Sequence, residues 1–339
     1  MTLNDPFLQL LQESQIITAT VVVFTIIGAL FILLKTLSFL KLIVDVFVLP
    51  GKNLKDFGAG SGSWAVVTGA SDGIGREYAM QLAAAKFNIF MISRTASKLK
   101  ALRDEIENKY KVDTKMYAMD FTKGDKRDYE NLKDIIEELD VGVLVNNVAT
   151  NHEIPTPFYL EDDEIIHNIV EVNIAGLLKV TKIVLSKMLP KNRGLIINGG
   201  SFAGTVPSAY LSVYSGSKAF MNTWSQAIGA ELKSKGIIVE NVNTYFVVSS
   251  MSKIRKPSFL IPLPGPYVKS VLSKIGIPGG ASFYPFNSNP YPSHALINWI
   301  ISNTFSWSFW VNYTLGQQEN IRKRALRKRE REKEAAKSQ

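Results

Sequence analysis

The sequence predicts an α/β fold with a doubly wound parallel sheet, preceded by a transmembrane helix and followed by a hydrophobic, membrane-associated extension. Three observations support this prediction: an apolar run near the amino terminus, β-rich runs alternating with helical segments, and a late stretch without charge. Strands that alternate with helices are typical of a parallel sheet covered on both faces. The chain has 339 residues, 46% of them hydrophobic, which is enough for one large core.

The first element is an uncharged run of nineteen residues, 16–34. This length is close to the ~20 residues that a helix needs to cross a bilayer. A cleaved signal peptide would have a basic start and a small-residue cleavage site. Here Asp5 and Glu13 precede the run, and Leu-Leu-Lys ends it. We therefore expect a membrane anchor.

The charges around this run predict its orientation. Lysines follow it, at Lys35, Lys41, Lys52 and Lys55. Because positive charge favours the cytosolic side, the body is expected in the cytosol. The predicted division is 1–15 lumenal segment, 16–34 anchor, 35–62 linker, 63–290 dinucleotide-binding domain, 291–318 hydrophobic membrane-contacting segment and 319–339 basic cytosolic tail.

The sheet is predicted from Ser63 onward. Six short runs have the composition of buried parallel strands: WAVVT, FNIFMIS, TKMYAM, VGVLVN, GLIIN and GIIVENV. Residues 97–110 and 162–189, which lie between such runs, have helical spacing.

The last third of the chain carries no Asp, Glu, Lys or Arg between Lys274 and Glu319. Residues 295–313 are apolar, include three tryptophans, and are interrupted by Asn, Ser and Thr. Tryptophan favours the membrane interface, whereas polar side chains are costly in hydrocarbon. We expect membrane contact without spanning; a spanning helix and a buried flap remain open.

Composition excludes several kinds of site. The chain has no cysteine, so disulfides, thiolate metal sites and cysteine nucleophiles are excluded. The three histidines are scattered, and no metal is predicted. Residues 322–337 hold nine basic residues and three glutamates, hence +6 of the +9 net charge. The body is therefore nearly neutral, and no nucleic-acid partner is predicted. The tail lacks interleaved aromatic residues and is expected to lie against anionic lipid.

A glycine-rich loop follows the first predicted strand and precedes a helix. Such a loop lets backbone amides approach a pyrophosphate at the positive helix end. This context predicts a Rossmann-type dinucleotide site, with a ligand-free tight turn as the alternative. The candidate residues are Thr68, Gly69, Ser71, Asp72, Gly73, Ile74 and Gly75.

The end of the second predicted strand indicates which dinucleotide is bound. A site for NAD usually has an acid about 20 residues after the glycine loop. This sequence has Ser93 and Arg94 there, with Lys98 nearby. Arginine pairs with the 2′-phosphate of NADP, so NADPH and reduction are predicted. The alternative is a solvated surface arginine.

Four residues form a candidate catalytic set. Tyr214 and Lys218 are four residues apart at the start of a predicted helix and share one face. A nearby ammonium stabilises a phenolate, which makes tyrosine a better acid or base. Ser201 stands thirteen residues before Tyr214, at a strand end, and Asn173 lies on the preceding helix. Taken singly, each is more often structural.

Together with the glycine loop, this set resembles the short-chain dehydrogenase/reductase family over about residues 63–251. The resemblance implies that Tyr214 transfers the proton and that Lys218 lowers its pKa and holds the nicotinamide ribose. It further implies that Ser201 orients the carbonyl and that Asn173 supports a proton-relay water.

The resemblance implies further cofactor contacts. Asp120 matches an adenine-contacting acid, and Asn147 belongs to the run Asn-Asn-Val-Ala. Alanine replaces the family's last glycine in that run, which leaves less room near the cofactor. Val247 and Ser249 follow the sixth strand, and Ser249 stands where the family has a carboxamide-contacting threonine.

The run TYFVVSSMSKIRKPS departs from the family pattern, because Thr-Tyr replaces the usual Pro-Gly. Together with the anchor, it resembles a subgroup: the 3-oxoacyl-CoA reductases of fatty-acid elongation in the endoplasmic reticulum and the related 17-beta-hydroxysteroid dehydrogenase type 12. The subgroup resemblance looks fungal.

The subgroup resemblance implies a function. It is the NADPH-dependent reduction of very-long-chain 3-oxoacyl-CoA to 3-hydroxyacyl-CoA beside other elongation enzymes. A ketosteroid or retinoid reductase and a non-catalytic NADPH-binding membrane scaffold are the alternatives. Lys253, Arg255 and Lys256 are candidates either for coenzyme A phosphates or for a membrane-facing patch.

Overall fold

The computed structural model describes residues 6–281 and 284–337. The first five residues of the predicted lumenal segment, two of the predicted dinucleotide-binding domain and the last two of the predicted tail lie outside the described residues. The strands are β1 (Trp64–Thr68), β2 (Asn88–Ser93), β3 (Thr114–Ala118), β4 (Val141–Asn146), β5 (Gly194–Ser201), β6 (Ile237–Thr244) and β7 (Asn287–Ser288). The helices are α1 (Pro6–Ile43), α2 (Gly73–Ala84), α3 (Ala96–Tyr110), α4 (Lys126–Glu137), α5 (Asp163–Val170), α6 (Leu177–Met188), α7 (Ser212–Lys233), α8 (Pro264–Ser273), α9 (Pro292–Asn303) and α10 (Trp307–Lys337).

The strands form one parallel sheet in the order β3-β2-β1-β4-β5-β6-β7, which confirms the predicted doubly wound fold. The order reverses between β1 and β4, where such sheets open a ligand crevice at the carboxyl ends of the strands. Strand β7 was not predicted, because it is two polar residues long and has no apolar pattern. Strand β3 was predicted to be buried, but it is the sheet edge and is partly exposed.

Both faces of the sheet are covered by helices. Alternate residues of β1 point to opposite faces, as in any strand. Ala65 and Val67 join a core cluster with Leu82 of α2, whereas Val66 joins a second cluster with Val184 of α6. The two hydrophobic layers hold the strand ends, and hence the loops that follow them, in fixed positions.

A row of asparagines crosses four neighbouring strands. Asn146, Asn198, Asn241 and Asn287 are register partners on β4, β5, β6 and β7, and all are buried. Asn146 Nδ2 donates to Asn198 Oδ1 at 2.9 Å, and Asn241 Nδ2 donates to Asn287 Oδ1 at 2.6 Å. Paired amides in a core favour one strand register over its neighbours.

Helix α1 and the π-helical turn Val44–Val48 that continues it contain the one segment, among the described residues, that is long and apolar enough to cross a membrane. This segment, Glu13–Val48, has a mean hydropathy of 2.7, and none of its apolar window is buried. The helix continues past the predicted end of the anchor and contacts α9. Phe39 packs edge-on against Trp299 at 5.1 Å, Trp299 Nε1 donates to Ser38 Oγ at 3.0 Å, and Lys35 Nζ donates to Asn303 Oδ1 at 2.8 Å.

The hydrophobic stretch 295–313 does not form a single helix. It breaks at residues 304–306, where α9 ends and α10 begins. Phe305, Trp307, Phe309 and Tyr313 are exposed around this break. Helix α10 then continues through the basic tail to Lys337.

Candidate active site

The glycine-rich turn from β1 into α2 favours glycine at three positions. Gly69 and Gly73 have φ angles of +66° and +54°, in the left-handed region. A Cβ on Gly75 would lie 2.2 Å from the carbonyl oxygen of Gly69. The loop is therefore folded tightly against the start of α2, as a phosphate-binding turn requires.

The loop after β4 is tied to the glycine loop. Thr68 Oγ1 accepts hydrogen bonds from the backbone N–H groups of Asn147 at 3.0 Å and Val148 at 3.1 Å. Asn147 Nδ2 donates to the carbonyl of Gly69 at 3.3 Å. These bonds fix both loops at the point where the strand order reverses. The cofactor contacts of Thr68 and Asn147 stay predictions.

Asp72 caps α2. Its carboxylate accepts from the backbone N–H of Gly73 at 2.7 Å and from Ser250 Oγ at 2.5 Å. The Ser250 bond chiefly holds the pKa of Asp72 below its ordinary value. A Cβ on Gly73 would meet Ser249 Cβ at 3.4 Å, so the segment after β6 lies against the glycine loop.

The end of β2 brings cations to the same loop. Ser93 Oγ donates to Ser71 Oγ at 2.7 Å, which joins the end of β2 to the glycine loop. Arg94 follows directly and is exposed, and no partner for its guanidinium lies among residues 6–281 and 284–337. Lys98 is exposed and close enough to Asp72 to lower that carboxyl's pKa. The arginine is thus available to a ligand.

The other predicted cofactor residues lie in three segments: the turn after β3, the start of α2 and the segment after β6. Asp120 Oδ1 accepts from the backbone N–H of Thr122 at 3.1 Å and caps a short turn after β3. Ile74 is half-buried against the core, and Val247 is buried in it. Ser249 N–H donates to Ser252 Oγ at 3.2 Å. Contact of these residues with a cofactor remains a prediction.

Ser201, Tyr214 and Lys218 come together at the carboxyl edge of the sheet. Ser201 ends β5, and Tyr214 and Lys218 lie one turn apart in the first turns of α7. Removal from water raises the pKa of Tyr214, although its hydrogen bond with Ser201 opposes that rise. Lys218 Nζ lies 5.7 Å from the centre of the Tyr214 ring and donates to the carbonyl of Gly199 at 2.6 Å.

Lys218 is buried, and this burial lowers its pKa to about 8. Its ammonium group donates a hydrogen bond to the Gly199 carbonyl. The effect of burial on Tyr214 exceeds that of its hydrogen bond with Ser201, so the pKa of Tyr214 lies above its ordinary value. Tyr214 is therefore a neutral phenol at neutral pH. A neutral phenol can donate a proton, which is what carbonyl reduction needs.

Asn173 lies in a π-helical turn, Glu171–Gly176, within what was predicted to be one long helix. Its Oδ1 accepts from the backbone N–H of Thr150 at 2.8 Å, and its Nδ2 donates to the Thr150 carbonyl and to Ser217 Oγ, both at 3.0 Å. The side chain thus joins the loop after β4 to α7. Such π turns are frequent at functional sites. The predicted role in supporting a water remains a prediction.

His152 belongs to the site but was not predicted. Its buried ring places Nε2 3.4 Å from the backbone N–H of Tyr214, and its Nδ1 contacts the buried carboxylate of Glu161. Because Nε2 accepts, Nδ1 carries the hydrogen and donates to Glu161. Helix α7 has no side-chain cap at Leu211, so His152 satisfies a free N–H of the first turn. No local sequence pattern predicts this contact, because 62 residues separate His152 from Tyr214.

No group of three or more potential ligands among the described His, Cys, Asp and Glu residues could hold a metal ion.

The chain is similar to known proteins, both in a family model and in the sequences of fungal proteins. A family model described as short chain dehydrogenase matches residues 63–258. The very-long-chain 3-oxoacyl-CoA reductase of Aspergillus oryzae is 51% identical over 310 residues, covering 90% of this chain and 89% of that protein. The proteins with the same name from Emericella nidulans and Coprinopsis cinerea are 50% identical over 321 residues and 51% identical over 313 residues. These alignments cover 94% and 91% of this chain, and 92% and 91% of the respective relatives.

Solved structures share the fold at low identity. One, from a study of 7beta-hydroxysteroid dehydrogenase stereoselectivity, has a TM-score of 0.66 at 21% identity and covers 75% of this chain and 96% of its own. A short-chain dehydrogenase from Sphingobium yanoikuyae in complex with NADPH has a TM-score of 0.60 at 22% identity, covering 71% and 92%. At this identity the likeness concerns the fold alone.

Proposed function

Because this chain belongs to the short-chain dehydrogenase family, we propose that it reduces very-long-chain 3-oxoacyl-CoA to 3-hydroxyacyl-CoA with NADPH. The observation that carries the proposal is the convergence of Ser201, Tyr214 and Lys218 beside the glycine loop. The names of the fungal relatives support the substrate class.

NADPH, when bound, supplies a hydride with its electron pair to C3 of the acyl thioester. The chain's own residues manage the proton and the charge. Tyr214 gives its phenolic proton to the former carbonyl oxygen, while Ser201 donates a hydrogen bond to that oxygen. Lys218 places a positive charge near the phenolate that results. Carbonyl and phenol become alcohol and phenolate, and a proton from solvent restores the phenol.

The residues present fit a dinucleotide with a 2′-phosphate. Glycine at positions 69, 73 and 75 adds no side chain at these points of the turn, which permits close approach of a pyrophosphate to the backbone. Arg94 offers an exposed guanidinium, without a partner among the described residues, directly after β2, where the adenosine ribose is expected. A carboxylate there would repel the phosphate, so the arginine supports NADPH over NADH.

The proposed location is the endoplasmic-reticulum membrane, with the catalytic domain in the cytosol and other elongation enzymes as neighbours. The exposed apolar segment Glu13–Val48 supports an anchor, and the lysines after residue 34 support this orientation. A long acyl chain is poorly soluble in water. An anchored enzyme meets such a substrate at the bilayer surface.

The test is NADPH oxidation by the purified full-length protein against 3-oxoacyl-CoAs of increasing chain length and a set of ketosteroids. We expect turnover of the long 3-oxoacyl-CoAs, and turnover at least about 10²-fold slower by Tyr214→Phe. Turnover of ketosteroids alone would make the protein a steroid reductase. NADPH binding without turnover of any ketone would instead support the scaffold alternative.

A further inference from the structure

Helix α10 lies across the loops that surround the catalytic residues. Thr314 Oγ1 donates to the carbonyl of Pro207 at 2.8 Å, and Tyr210 Oη donates to Glu319 at 3.3 Å. These partners belong to the loop between β5 and α7, just before Tyr214. Ligands of doubly wound folds bind outside this edge of the sheet. The helix therefore borders the mouth of the site.

Three cationic side chains, two from farther along α10 and one from the segment after β6, contact the loop that follows β4. Arg322 Nη1 donates to the carbonyl of Pro155 at 2.7 Å, and Arg329 forms an ion pair with Glu153 at 2.5 Å. Lys253, from the segment after β6, donates to the backbone carbonyl of Glu153 at 2.8 Å. We call Arg322, Arg329 and Lys253 the mouth cluster.

The mouth cluster keeps a net positive charge. Glu153 is the carboxylate that forms an ion pair with the cluster, whereas the hydrogen bonds of Arg322 and Lys253 are to neutral carbonyl and hydroxyl groups. Arg329, assisted by Lys253, holds the pKa of Glu153 below its ordinary value, so that carboxylate is fully ionised at neutral pH. Glu319 lies beside Arg322 at the Tyr210 hydroxyl, so three positive charges are set against two negative ones.

The cluster is close to the reaction centre without touching it. His152 accepts a hydrogen bond from the backbone N–H of Tyr214, and Pro155 is three residues farther along the same loop. Three extended residues span about 10 Å, so the cations lie within a short reach of the catalytic helix. Thr156 N–H also donates to the carbonyl of Tyr210 at 2.8 Å, which holds this loop against the mouth.

A purely structural role for the cluster, fastening α10 to the body, is the competing explanation. Uncharged donors could make the same hydrogen bonds to the carbonyls of Pro155 and Glu153, so fastening alone does not require Arg322 and Lys253 to be cations. Lys253 also holds a φ angle of +56°, an unfavourable conformation for a residue with a long side chain. Backbone strain of this kind is found at ligand clamps, where it fixes the direction of a side chain.

We propose that the mouth cluster binds the phosphate groups of a coenzyme A thioester; this inference rests on the proposed function. Guanidinium groups bind phosphate oxygens through paired, charge-assisted hydrogen bonds, and an ammonium adds a mobile positive charge. The thioester then runs inward from the phosphates towards Ser201 and Tyr214. The cluster thereby selects a nucleotide-linked thioester over an uncharged ketone.

The amino-terminal end of α10 carries exposed aromatic side chains, which supports a substrate that extends from the mouth cluster towards this end. Phe305, Trp307 and Phe309 are exposed there, next to the end of α9 that contacts the anchor helix. About 15 residues separate Trp307 from Arg322, hence about 22 Å of helix. A molecule with an apolar tail and a phosphate head fits this helix, with the tail at the aromatic residues and the phosphates at the arginines.

The experiment compares coenzyme A with pantetheine, which lacks the phosphates, in equilibrium binding to the full-length protein. Saturating NADP⁺ is present, so that coenzyme A is not bound in the dinucleotide site. The variant combines Arg322→Gln and Arg329→Gln, and a second carries Lys253→Asn, because asparagine tolerates a positive φ. We expect coenzyme A to bind at least about tenfold more weakly to each variant, with pantetheine unchanged, since hydrogen bonds to charged groups are lost.

Lys323→Gln with Arg324→Gln is the matched control for the double variant, because both side chains are exposed on the same helix and two charges are again removed; Lys323→Gln alone is the control for Lys253→Asn. An equal loss in the matched control would reduce the effect to the general field of the tail and overturn the proposal. So would equal binding of coenzyme A and pantetheine, or parallel losses of both. Cluster-dependent binding of coenzyme A by a protein that reduces no 3-oxoacyl thioester would contradict the proposed function alone.

Discussion

The Tyr214 phenol is the group whose removal tests the chemistry most directly. Tyr214→Phe deletes one hydroxyl from a half-buried ring and leaves the packing of α7 in place. We expect kcat to fall by about 10²–10⁴-fold, the usual contribution of a general acid, with unchanged binding of NADPH measured by fluorescence. Turnover close to that of the wild type would contradict the proposed role as proton donor.

Arg94 distinguishes the two nicotinamide cofactors. Arg94→Asp replaces a phosphate partner with an acceptor for ribose hydroxyl groups. We expect the ratio of kcat/KM for NADPH to that for NADH to fall by at least about tenfold, the value of one charge-assisted pair. Lys100→Asp, an exposed charge reversal on the helix α3 that follows Arg94, is the control. An unchanged ratio in Arg94→Asp would show that this guanidinium faces solvent.

His152 is expected to act through Tyr214. His152→Ala removes the acceptor of the Tyr214 N–H and leaves the buried Glu161 carboxylate without its partner. We expect kcat to fall about tenfold, as for a lost buried hydrogen bond, with little change in the KM for NADPH. His152→Gln, which can still accept, should recover part of the loss, whereas exposed His167→Ala should have no effect. A loss of NADPH affinity equal to the loss of kcat would indicate general damage instead.

At the scale of elements, the first turn of α2 has no room for a side chain at Gly75, where it packs against the loop after β1. Gly75→Ala would place a methyl group 2.2 Å from the Gly69 carbonyl, so the loop or α2 must shift. Since the loop is expected to hold the pyrophosphate, we predict a large rise in the Kd for NADPH, measured by fluorescence titration. Gly216→Ala is the control, because a Cβ there meets nothing within 4 Å. Equal affinities in the two variants would argue against the loop as the phosphate site.

The elements that were predicted are those with a strong local pattern. Six strands carry apolar runs, and the glycine loop and Tyr214 with Lys218 are recognised from spacing within a few residues. Strand β7 escaped because two polar residues form no pattern, and the π turn at Asn173 because it does not alter helical spacing enough to be seen. His152 and the mouth cluster depend on contacts between distant segments, which no local pattern encodes.

At the scale of the whole molecule, the direction of the anchor decides which compartment the site faces. Protease added to sealed microsomes should digest a C-terminal epitope and destroy activity, whereas an epitope at the amino terminus stays protected. The physical reason is that positive charge follows the apolar run and therefore remains in the cytosol. Microsomes opened with detergent, in which both epitopes are digested, are the control.

Two results would contradict this topology. Protection of the C-terminal epitope with an exposed body would mean that residues 295–313 cross the membrane despite the break before α10. Protection of the body itself would reverse the anchor and separate the site from cytosolic NADPH.

The row of asparagines across β4 to β7 bears on how the sheet assembles. Each of these strands must find a partner about 50 residues away, and such parallel pairing is slow. Aliphatic side chains tolerate a shift of two residues, because they return to the same face. A shift of two residues along β4 would instead place Asn198 opposite the apolar Leu144, at a cost of about 1–3 kcal/mol for each unsatisfied group. Misregistered intermediates therefore dissociate sooner than correct ones, and replacing Asn198 with valine should give slower and more error-prone refolding.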